Sequence, residues 1–224
     1  MAGSSYEIEI KSLLGGPENA ERLRTEMKKL DSSLKKVSTH TQLNHYFEGK
    51  GDFTAVAKAI PDAAQQKAFV DLANKAKDFS LRTRDADGKV FLVLKASIDD
   101  TTSANGTARQ ELSEEIPVSL DALDAAILSA GFSYQAKWSR AREEYEFLGA
   151  NVTIDKNAGY GYLAEFEIIE NDPSRADATK AKLRDIMQKL GVKELNQDRL
   201  ARMFAFYNLH WQEYYGTENI FVIE

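Results

Sequence analysis

Several segments of the sequence carry charged residues at positions i and i+2. In YEIEIK, Glu7, Glu9 and Lys11 alternate with apolar residues, and in LRTR the residues Arg82 and Arg84 are spaced in the same way. Residues two apart in an extended strand lie on one face of that strand. Two arginines placed like this present planar donor forks that suit phosphate oxygens. Two glutamates present hard oxygen ligands that suit Mg²⁺ or Mn²⁺.

The same spacing recurs along the chain. A single segment of this kind is better explained by an antiparallel sheet with one face in water. The whole set, however, separates arginine pairs from carboxylate pairs on different strands, which predicts a sheet face that binds phosphate together with a divalent metal. The later segments contain Lys95, then Arg109, Glu111 and Glu115, then Arg140, Arg142 and Glu144, and finally Asp155, Glu165 and Glu167.

A closed sheet would explain how so many charges are accommodated. If the sheet closes into a barrel, the charged faces point inward and the apolar faces pack under amphipathic helices. A dense cluster of buried arginines alone is very unfavourable. Interleaved carboxylates, a metal ion and a bound polyanion would compensate the cluster.

The elements that position these residues follow from the hydrophobic spacing. Apolar residues alternating with polar residues predict a series of strands, and Asp87-Gly88 predicts a hairpin turn. The stretch 99–107 is predicted to be a polar loop. The predicted strands are 5–12, 37–48, 79–85, 90–97 and 108–118, followed by FSYQAKWSR, REEYEFLG, NVTIDKN and GYLAEFEII.

Five helices are predicted between and after the strands. Pro61 is expected in the first turn of one helix, and Ser119 and Gly131 are expected to begin and end another. Asp172 is the expected cap of a further helix, with Pro173 at its first position. The predicted helices are 18–36, 62–78, 119–131, 172–191 and 196–216.

The composition suits one large domain in a chain of 224 residues. Hydrophobic residues make up 43% and charged residues 29%, and the net charge of −6 disfavours a general nucleic-acid-binding surface. The absence of cysteine excludes disulfides, thiolate metal sites and a cysteine nucleophile. No apolar run approaches the ~18 residues of a membrane span, and the N-terminus lacks a signal-peptide pattern. We therefore expect a cytoplasmic protein that binds neither nucleic acid nor membrane.

Other candidate motifs carry less chemistry. His40, His45 and His210 share no metal-ligand spacing, so structural or surface roles are expected for them. The EGKGD segment at 48–52 lacks the pattern of a phosphate-binding loop. The NAGYGY glycines are turn residues before a strand.

In this order the charged segments resemble the CYTH domain, also called the triphosphate tunnel metalloenzymes. The resemblance runs from Tyr6 to Ile169, and HYFE at 45–48 resembles the second strand of the family. The family pattern E-x-E-x-K is matched by Glu7, Glu9 and Lys11, R-x-R by Arg82 and Arg84, the lysine after an apolar strand by Lys95, R-x-E by Arg109 and Glu111, (K/R)-x-R-x-x-Y by Arg140, Arg142 and Tyr145, and the aspartate followed by G-x-x-x-E-x-E by Asp155, Gly161, Glu165 and Glu167.

The resemblance implies an α+β fold, a closed eight-stranded antiparallel β-barrel (the triphosphate tunnel) with amphipathic helices packed outside. We expect one domain over 1–224, with barrel strands at about 5–170 and C-terminal helices at about 172–216. Two features depart from the family pattern. The long segment at 49–78 could cap a tunnel mouth or pad the outside, and the aromatic C-terminal helix is expected to be a core helix, with a dimer surface as the alternative. Monomer and homodimer both remain open.

The resemblance also implies a site. The expected catalytic residues are Lys11, Lys95, Glu165 and Glu167. The expected triphosphate-binding residues are Lys11, Arg82, Arg84, Lys95, Arg109, Arg140 and Arg142. The expected ligands of Mg²⁺ or Mn²⁺ are Glu7, Glu9, Glu111, Asp155, Glu165 and Glu167. Lys137 and Glu115 could also line the tunnel, and Lys156 is expected to point outward.

The implied activity is metal-dependent hydrolysis of a triphosphate chain, either inorganic triphosphate or a nucleoside or thiamine triphosphate. The alternative is an adenylate cyclase that converts ATP to cyclic AMP and pyrophosphate. A non-catalytic polyphosphate or nucleotide binder is the third possibility, although a pure anion binder gains little from so many carboxylates. In each case the partner is a small molecule containing a triphosphate.

Overall fold

The computed structural model describes residues 6–97 and 109–224. Their eight strands form one antiparallel sheet in the order β1-β8-β7-β6-β2-β3-β4-β5, which confirms the predicted α+β class and strand number. Closure of this sheet into a barrel stays a prediction. The strands are β1 (Tyr6–Gly15), β2 (Lys35–Glu48), β3 (Asp78–Ala86), β4 (Lys89–Ser97), β5 (Arg109–Glu115), β6 (Ser133–Phe147), β7 (Ala150–Asn157) and β8 (Gly161–Glu170).

Six α-helices accompany the sheet in the described part of the chain, and none of them is long and apolar enough to cross a membrane. The helices are α1 (Pro17–Leu30), α2 (Phe53–Ala57), α3 (Ala63–Lys75), α4 (Leu120–Ser129), α5 (Ala176–Lys189) and α6 (Gln197–Tyr214).

Several predicted boundaries were wrong for local reasons. The first helix ends at Leu30 rather than at residue 36, because the Asp31 carboxylate accepts hydrogen bonds from the Ser33 amide and hydroxyl and forms a turn. The next predicted helix begins at Ala63, after an Asp62 cap, so Pro61 lies before the helix and not in its first turn.

Two further segments also differ from the prediction. FSYQAKWSR and REEYEFLG are one continuous strand, β6. Asp172 caps a short 3₁₀ turn over Pro173–Arg175, and helix α5 begins only at Ala176. The short helix α2 was not predicted, and the predicted loop 99–107 lies outside the described residues.

The predicted ends of one helix and one predicted hairpin turn are confirmed by the backbone. Ser119 caps α4 and Gly131 follows it with φ of 94°. Asp87 and Gly88 join β3 to β4 with φ of 53° and 86°, the left-handed values that a tight hairpin requires.

The described chain divides into two compact units. The first unit contains residues 6–41 and 140–224, the second contains 42–97 and 109–139, and the boundaries fall within β2 and β6. In the first unit, Ile8 and Ile10 pack with residues of α1 and α5 in one apolar core, which confirms that they lie under helices. Helix α6 buries one face, including Tyr207, as expected of a core helix.

The second unit has its own core. Strand residues such as Leu92 and Leu94 pack there with Val56, Ile60 and Phe69 of the long 49–78 segment. Because these three side chains are fully buried, the segment adds to the apolar core behind the sheet.

Candidate functional site

The first unit aligns charged residues across four strands. Lys11 of β1 faces Glu165 of β8, and Glu9 faces Glu167 in the same register. On the other side of β8, Thr153 of β7 faces Glu165. Because directly opposed residues share a face of the sheet, these side chains form one polar face.

An arginine cluster occupies the centre of this face. Arg142 forms a bidentate pair with Asp155, with Nε–Oδ1 and Nη2–Oδ2 distances of 2.7 and 2.6 Å. Its Nη2 also lies 2.6 Å from Glu165 Oε2, and Arg140 Nη1 lies 3.1 Å from Asp155 Oδ2. The Asp155 side chain is 0% exposed, so its charge is compensated by these arginines rather than by water.

Lys11 joins the cluster from β1. Its Nζ lies 2.5 Å from Glu9 Oε1 and 3.2 Å from Glu165 Oε1. Burial alone would raise the pKa of Glu165, but the charges of Lys11 and Arg142 outweigh burial and hold that pKa well below its usual range. The Glu165 carboxylate therefore stays ionised at neutral pH and is not a proton donor.

The second unit carries its own row of cations on β3 and β4. Arg82 Nη1 donates to the Tyr46 hydroxyl at 2.7 Å, and its guanidinium carbon lies 5.5 Å from the centre of that ring. Arg84 Nε donates to Asn44 Oδ1 at 3.0 Å. Both contacts follow the register, since Tyr46 faces Arg82 and Asn44 faces Arg84.

Lys95 and Glu111 form an ion pair on the same unit. The two residues face each other across β4 and β5, and Lys95 Nζ lies 2.8 Å from Glu111 Oε2. Burial would raise the pKa of Glu111, but Lys95, with smaller effects of Arg82 and Arg84, lowers it.

Most of the expected site residues are therefore brought together within one unit or the other. The first unit assembles Glu9, Lys11, Arg140, Arg142, Asp155, Glu165 and Glu167, and the second assembles Arg82, Arg84, Lys95 and Glu111.

One further expected residue, Glu7, lies on the same face of β1 as Glu9, and another, Arg109, is only partly described. Glu7 faces Ile169 across β1 and β8. The backbone of Arg109 pairs with Ser97, but its side chain lies outside the described part of the structure. Lys156 is half-exposed and pairs with Glu218, which fits the predicted outward orientation.

The carboxylates expected to bind a metal are distributed over both units, and their role as ligands stays a prediction. Among the described residues, no group of three or more Asp, Glu or His side chains stands in a metal-binding arrangement. Asp155 and Glu165 form ion pairs with arginine and lysine. The donor chemistry still fits a hard cation at Glu9 and Glu167, since these carboxylates oppose each other on adjacent strands.

Sequence reasoning missed the side chains that hold the second unit's arginines. Asn44 and Tyr46 lie two apart in β2, which is the same spacing that marked the charged residues. The period-two spacing is therefore visible in the sequence, but both side chains are neutral and carry no charge pattern. His45 between them is buried against Asp124, which agrees with the structural role expected of it.

Solved structures of similar fold support these strand assignments. No curated protein sequence matches the chain significantly. The PH1012 protein from Pyrococcus horikoshii OT3 superposes with a TM-score of 0.60 at 20% identity, covering 84% of this chain and 92% of that chain. A putative adenylate cyclase from Vibrio parahaemolyticus gives 0.56 at 16%, covering 84% and 90%. A putative adenylyl cyclase from Hippeastrum, described as having a dominant triphosphatase activity, gives 0.51 at 21%, covering 89% and 96%.

The sequence itself matches one family model over most of its length. Residues 5–201 match the CYTH domain. This range includes every strand of the sheet and every residue of the predicted site. The chain belongs to the CYTH domain family.

Proposed function

We propose that this protein is a divalent-metal-dependent hydrolase of a triphosphate chain. The observation that supports this best is the set of arginine and lysine side chains already held in place by cross-strand partners, as in the pairing of Arg142 with Asp155 and Glu165. Guanidinium groups fixed before the substrate arrives can stabilise charge that develops on phosphoryl oxygens without first having to reorganise.

In this proposal the cations position the phosphate chain and stabilise a loose phosphoryl transition state. No covalent nucleophile is required. The residues proposed for this role are Lys11, Arg82, Arg84, Lys95, Arg109, Arg140 and Arg142.

The carboxylates are proposed to act in two ways. Glu165 and Asp155 orient Lys11, Arg140 and Arg142 through the ion pairs described above. Glu9 and Glu167, with Glu7 and Glu111 as further candidates, would hold Mg²⁺ or Mn²⁺. A bound divalent ion would neutralise phosphate charge. Closure of the sheet into a tunnel around the substrate is part of the same proposal.

An adenylate cyclase is the second candidate. The same cations would then hold ATP while its 3′-hydroxyl attacks the α-phosphorus and pyrophosphate leaves. The name of the Vibrio protein favours this candidate, whereas the description of the Hippeastrum protein favours hydrolysis. We rank hydrolysis first because it needs no base-binding pocket, and the sequence gives no motif for one.

Product analysis distinguishes the candidates. The protein is incubated with Mg²⁺ or Mn²⁺ and inorganic triphosphate, ATP or thiamine triphosphate. Orthophosphate release identifies hydrolysis, cyclic AMP with pyrophosphate identifies the cyclase, and tight binding without turnover identifies a binder.

Two variants test the site assignment. Glu165→Gln and Arg84→Ala should each lower turnover at least ~10-fold, about 1.4 kcal/mol in the barrier. Lys67→Ala is the matched control, because Lys67 pairs only with neighbouring Asp71 on the exposed side of α3 in the contacts described. Turnover at the wild-type rate in both site variants would contradict the assignment.

A further inference from the structure

A buried polar network lies behind the arginine strand of the second unit. The Asp124 carboxylate on α4 accepts hydrogen bonds from His45 Nδ1 at 2.6 Å, from the Thr83 hydroxyl at 2.7 Å and from the Tyr134 hydroxyl at 2.7 Å. Asp124 and His45 are each 2% exposed, and Thr83 is fully buried. One carboxylate thereby connects a helix to three strands, β2, β3 and β6.

The surroundings make this network unusual. The helix-facing side of β2 and β3 is otherwise lined by apolar residues such as Phe47 and Leu81. Apolar side chains would satisfy the packing there at least as well as a buried charge. Burial alone would raise the pKa of Asp124, but the hydrogen bonds from His45, Tyr134 and Thr83 lower it, so the group is held as an anion. A buried anion whose hydrogen bonds are all made favours one arrangement of its donor groups. Its main effect is on the geometry of those groups and not on overall stability.

The register shows what that arrangement fixes. His45 and Thr83 face each other across β2 and β3, and they lie between the pairs Tyr46–Arg82 and Asn44–Arg84. Because side chains alternate along a strand, the network holds one face while both arginines extend from the other. The short paired segments 44–46 and 82–84 therefore contain two of the groups that donate to Asp124 and, on the other face, the two arginines.

We propose that Asp124 is a positioning residue for Arg82 and Arg84, acting through Thr83 and His45 from the opposite face of the sheet. This inference rests on the proposed function, because it assumes that the two arginines contact a triphosphate chain. Without the carboxylate, β2 and β3 stay paired through their backbones, but helix α4 no longer fixes His45 and Thr83. The two guanidinium groups on the opposite face then lose part of their alignment. A misplacement of about 1 Å by a distant mutation can cost a reaction about 100-fold in rate, and we expect the same loss of alignment to weaken the hydrogen bonds to a bound phosphate.

The test measures binding of inorganic triphosphate by titration calorimetry in EDTA, so that no metal effect enters. Asp124→Asn keeps the shape of the side chain but sets an amide NH₂ against groups that are themselves donors. We expect its Kd to rise about 10-fold. Leu123→Ala is the control, since it removes a buried apolar side chain from the same helix without touching the network. Its Kd should change less than 2-fold, about 0.4 kcal/mol.

A double-mutant cycle separates positioning from general destabilisation. If Asp124 acts through Arg84, then Asp124→Asn should raise Kd about 10-fold in the wild-type background and markedly less in the Arg84→Ala background. The same cycle is run with Arg82→Ala, and an effect of Asp124→Asn that is equal in the wild-type, Arg84→Ala and Arg82→Ala backgrounds would overturn the proposal. So would an equal rise in Kd for Leu123→Ala.

A second variant covers the case in which Asp124→Asn does not fold. Thr83→Val preserves volume and removes one donor to the carboxylate, and it should raise Kd in the same direction. Failure of the two proposals can be told apart. If Arg84→Ala weakens triphosphate binding but Asp124→Asn and Thr83→Val do not, only the positioning role is overturned. If Arg84→Ala itself binds triphosphate as the wild type does, the assignment of Arg84 in the proposed function fails and the positioning role fails with it.

Discussion

The two units use the same residue spacing with opposite balances of charge. The site residues predicted in the first unit are three cations and five carboxylates, whereas those in the second are four cations and one carboxylate. The first set is Lys11, Arg140, Arg142, Glu7, Glu9, Asp155, Glu165 and Glu167, and the second is Arg82, Arg84, Lys95, Arg109 and Glu111.

The side chains that contact the arginines also differ between the two units. Arg142 is held by two carboxylates, which orient the guanidinium and also neutralise it. Arg82 and Arg84 donate to the neutral oxygens of Tyr46 and Asn44, and both also lie in the field of the Glu111 carboxylate. The first set contains more carboxylates than cations and the second more cations than carboxylates, so we expect metal binding to depend more on the first unit and anion binding more on the second.

The largest expected difference between the units is in stability. Arg142→Ala leaves buried Asp155 without its bidentate partner and Glu165 with Lys11 alone as a close cation, and we expect it to lower the free energy of unfolding by about 3–5 kcal/mol. Arg84→Ala is the matched change in the second unit and should cost less, since its hydrogen bond to Asn44 is expected to contribute about 1 kcal/mol. Urea denaturation at pH 7 measures both. Equal losses would show that the two arginines are held in the same way.

The next prediction separates metal binding from phosphate binding. Glu167→Gln replaces a hard anionic ligand with a neutral amide, so the Mg²⁺ concentration for half-maximal turnover should rise about 10-fold. Arg84→Ala should instead raise the KM for triphosphate about 10-fold and leave the Mg²⁺ requirement unchanged. Steady-state kinetics at varied Mg²⁺ and varied triphosphate give both values. A rise in the Mg²⁺ requirement of Arg84→Ala would remove the distinction between the units.

Much of this arrangement could be predicted from the sequence because it depends on period-two alternation. Glu9 and Lys11 in β1, like Glu165 and Glu167 in β8, could be assigned to one face from spacing alone. The hairpin at Asp87-Gly88 followed from the left-handed conformation that its two residues adopt readily. These predictions use only local geometry, and the structure confirms them.

Long-range pairing could not be predicted in this way. Nothing in the spacing indicates that Arg142 contacts Asp155 and Glu165, because that depends on which strands are neighbours and in which register. The Asp124 network was missed for the same reason. Its donors come from β2, β3 and β6, and a single Asp in an amphipathic helix gives no sign that it is buried.

The pH dependence of stability tests the ion pairs of Glu165 in the first unit. Since the Glu165 pKa is lower in the folded state than in the unfolded chain, the unfolded state binds more protons in acid. The stabilisation from Glu165 is therefore complete above roughly pH 5 and is lost as the pH falls below that value. Glu165→Gln should be less stable than wild type at pH 7, and the gap should narrow at pH 4. Urea midpoints at both pH values test this, and a gap of constant size would contradict it.

The smallest expected effect concerns the single predicted carboxylate of the second unit. Glu111 pairs with Lys95 near the surface, so Glu111→Gln should lower the free energy of unfolding by only about 0.2–1 kcal/mol. Its effect on anion binding should have the opposite sign to that of Glu165→Gln. Glu111 lies in the field of Arg82 and Arg84, so neutralising it makes this face more positive.

In EDTA, triphosphate should therefore bind Glu111→Gln about 2-fold more tightly than wild type. It should bind Glu165→Gln more weakly, because that carboxylate orients Lys11 and Arg142. Calorimetric titration of both variants decides the point. If Glu111→Gln also binds more weakly, Glu111 orients its cation just as Glu165 does, and the two faces work by one principle.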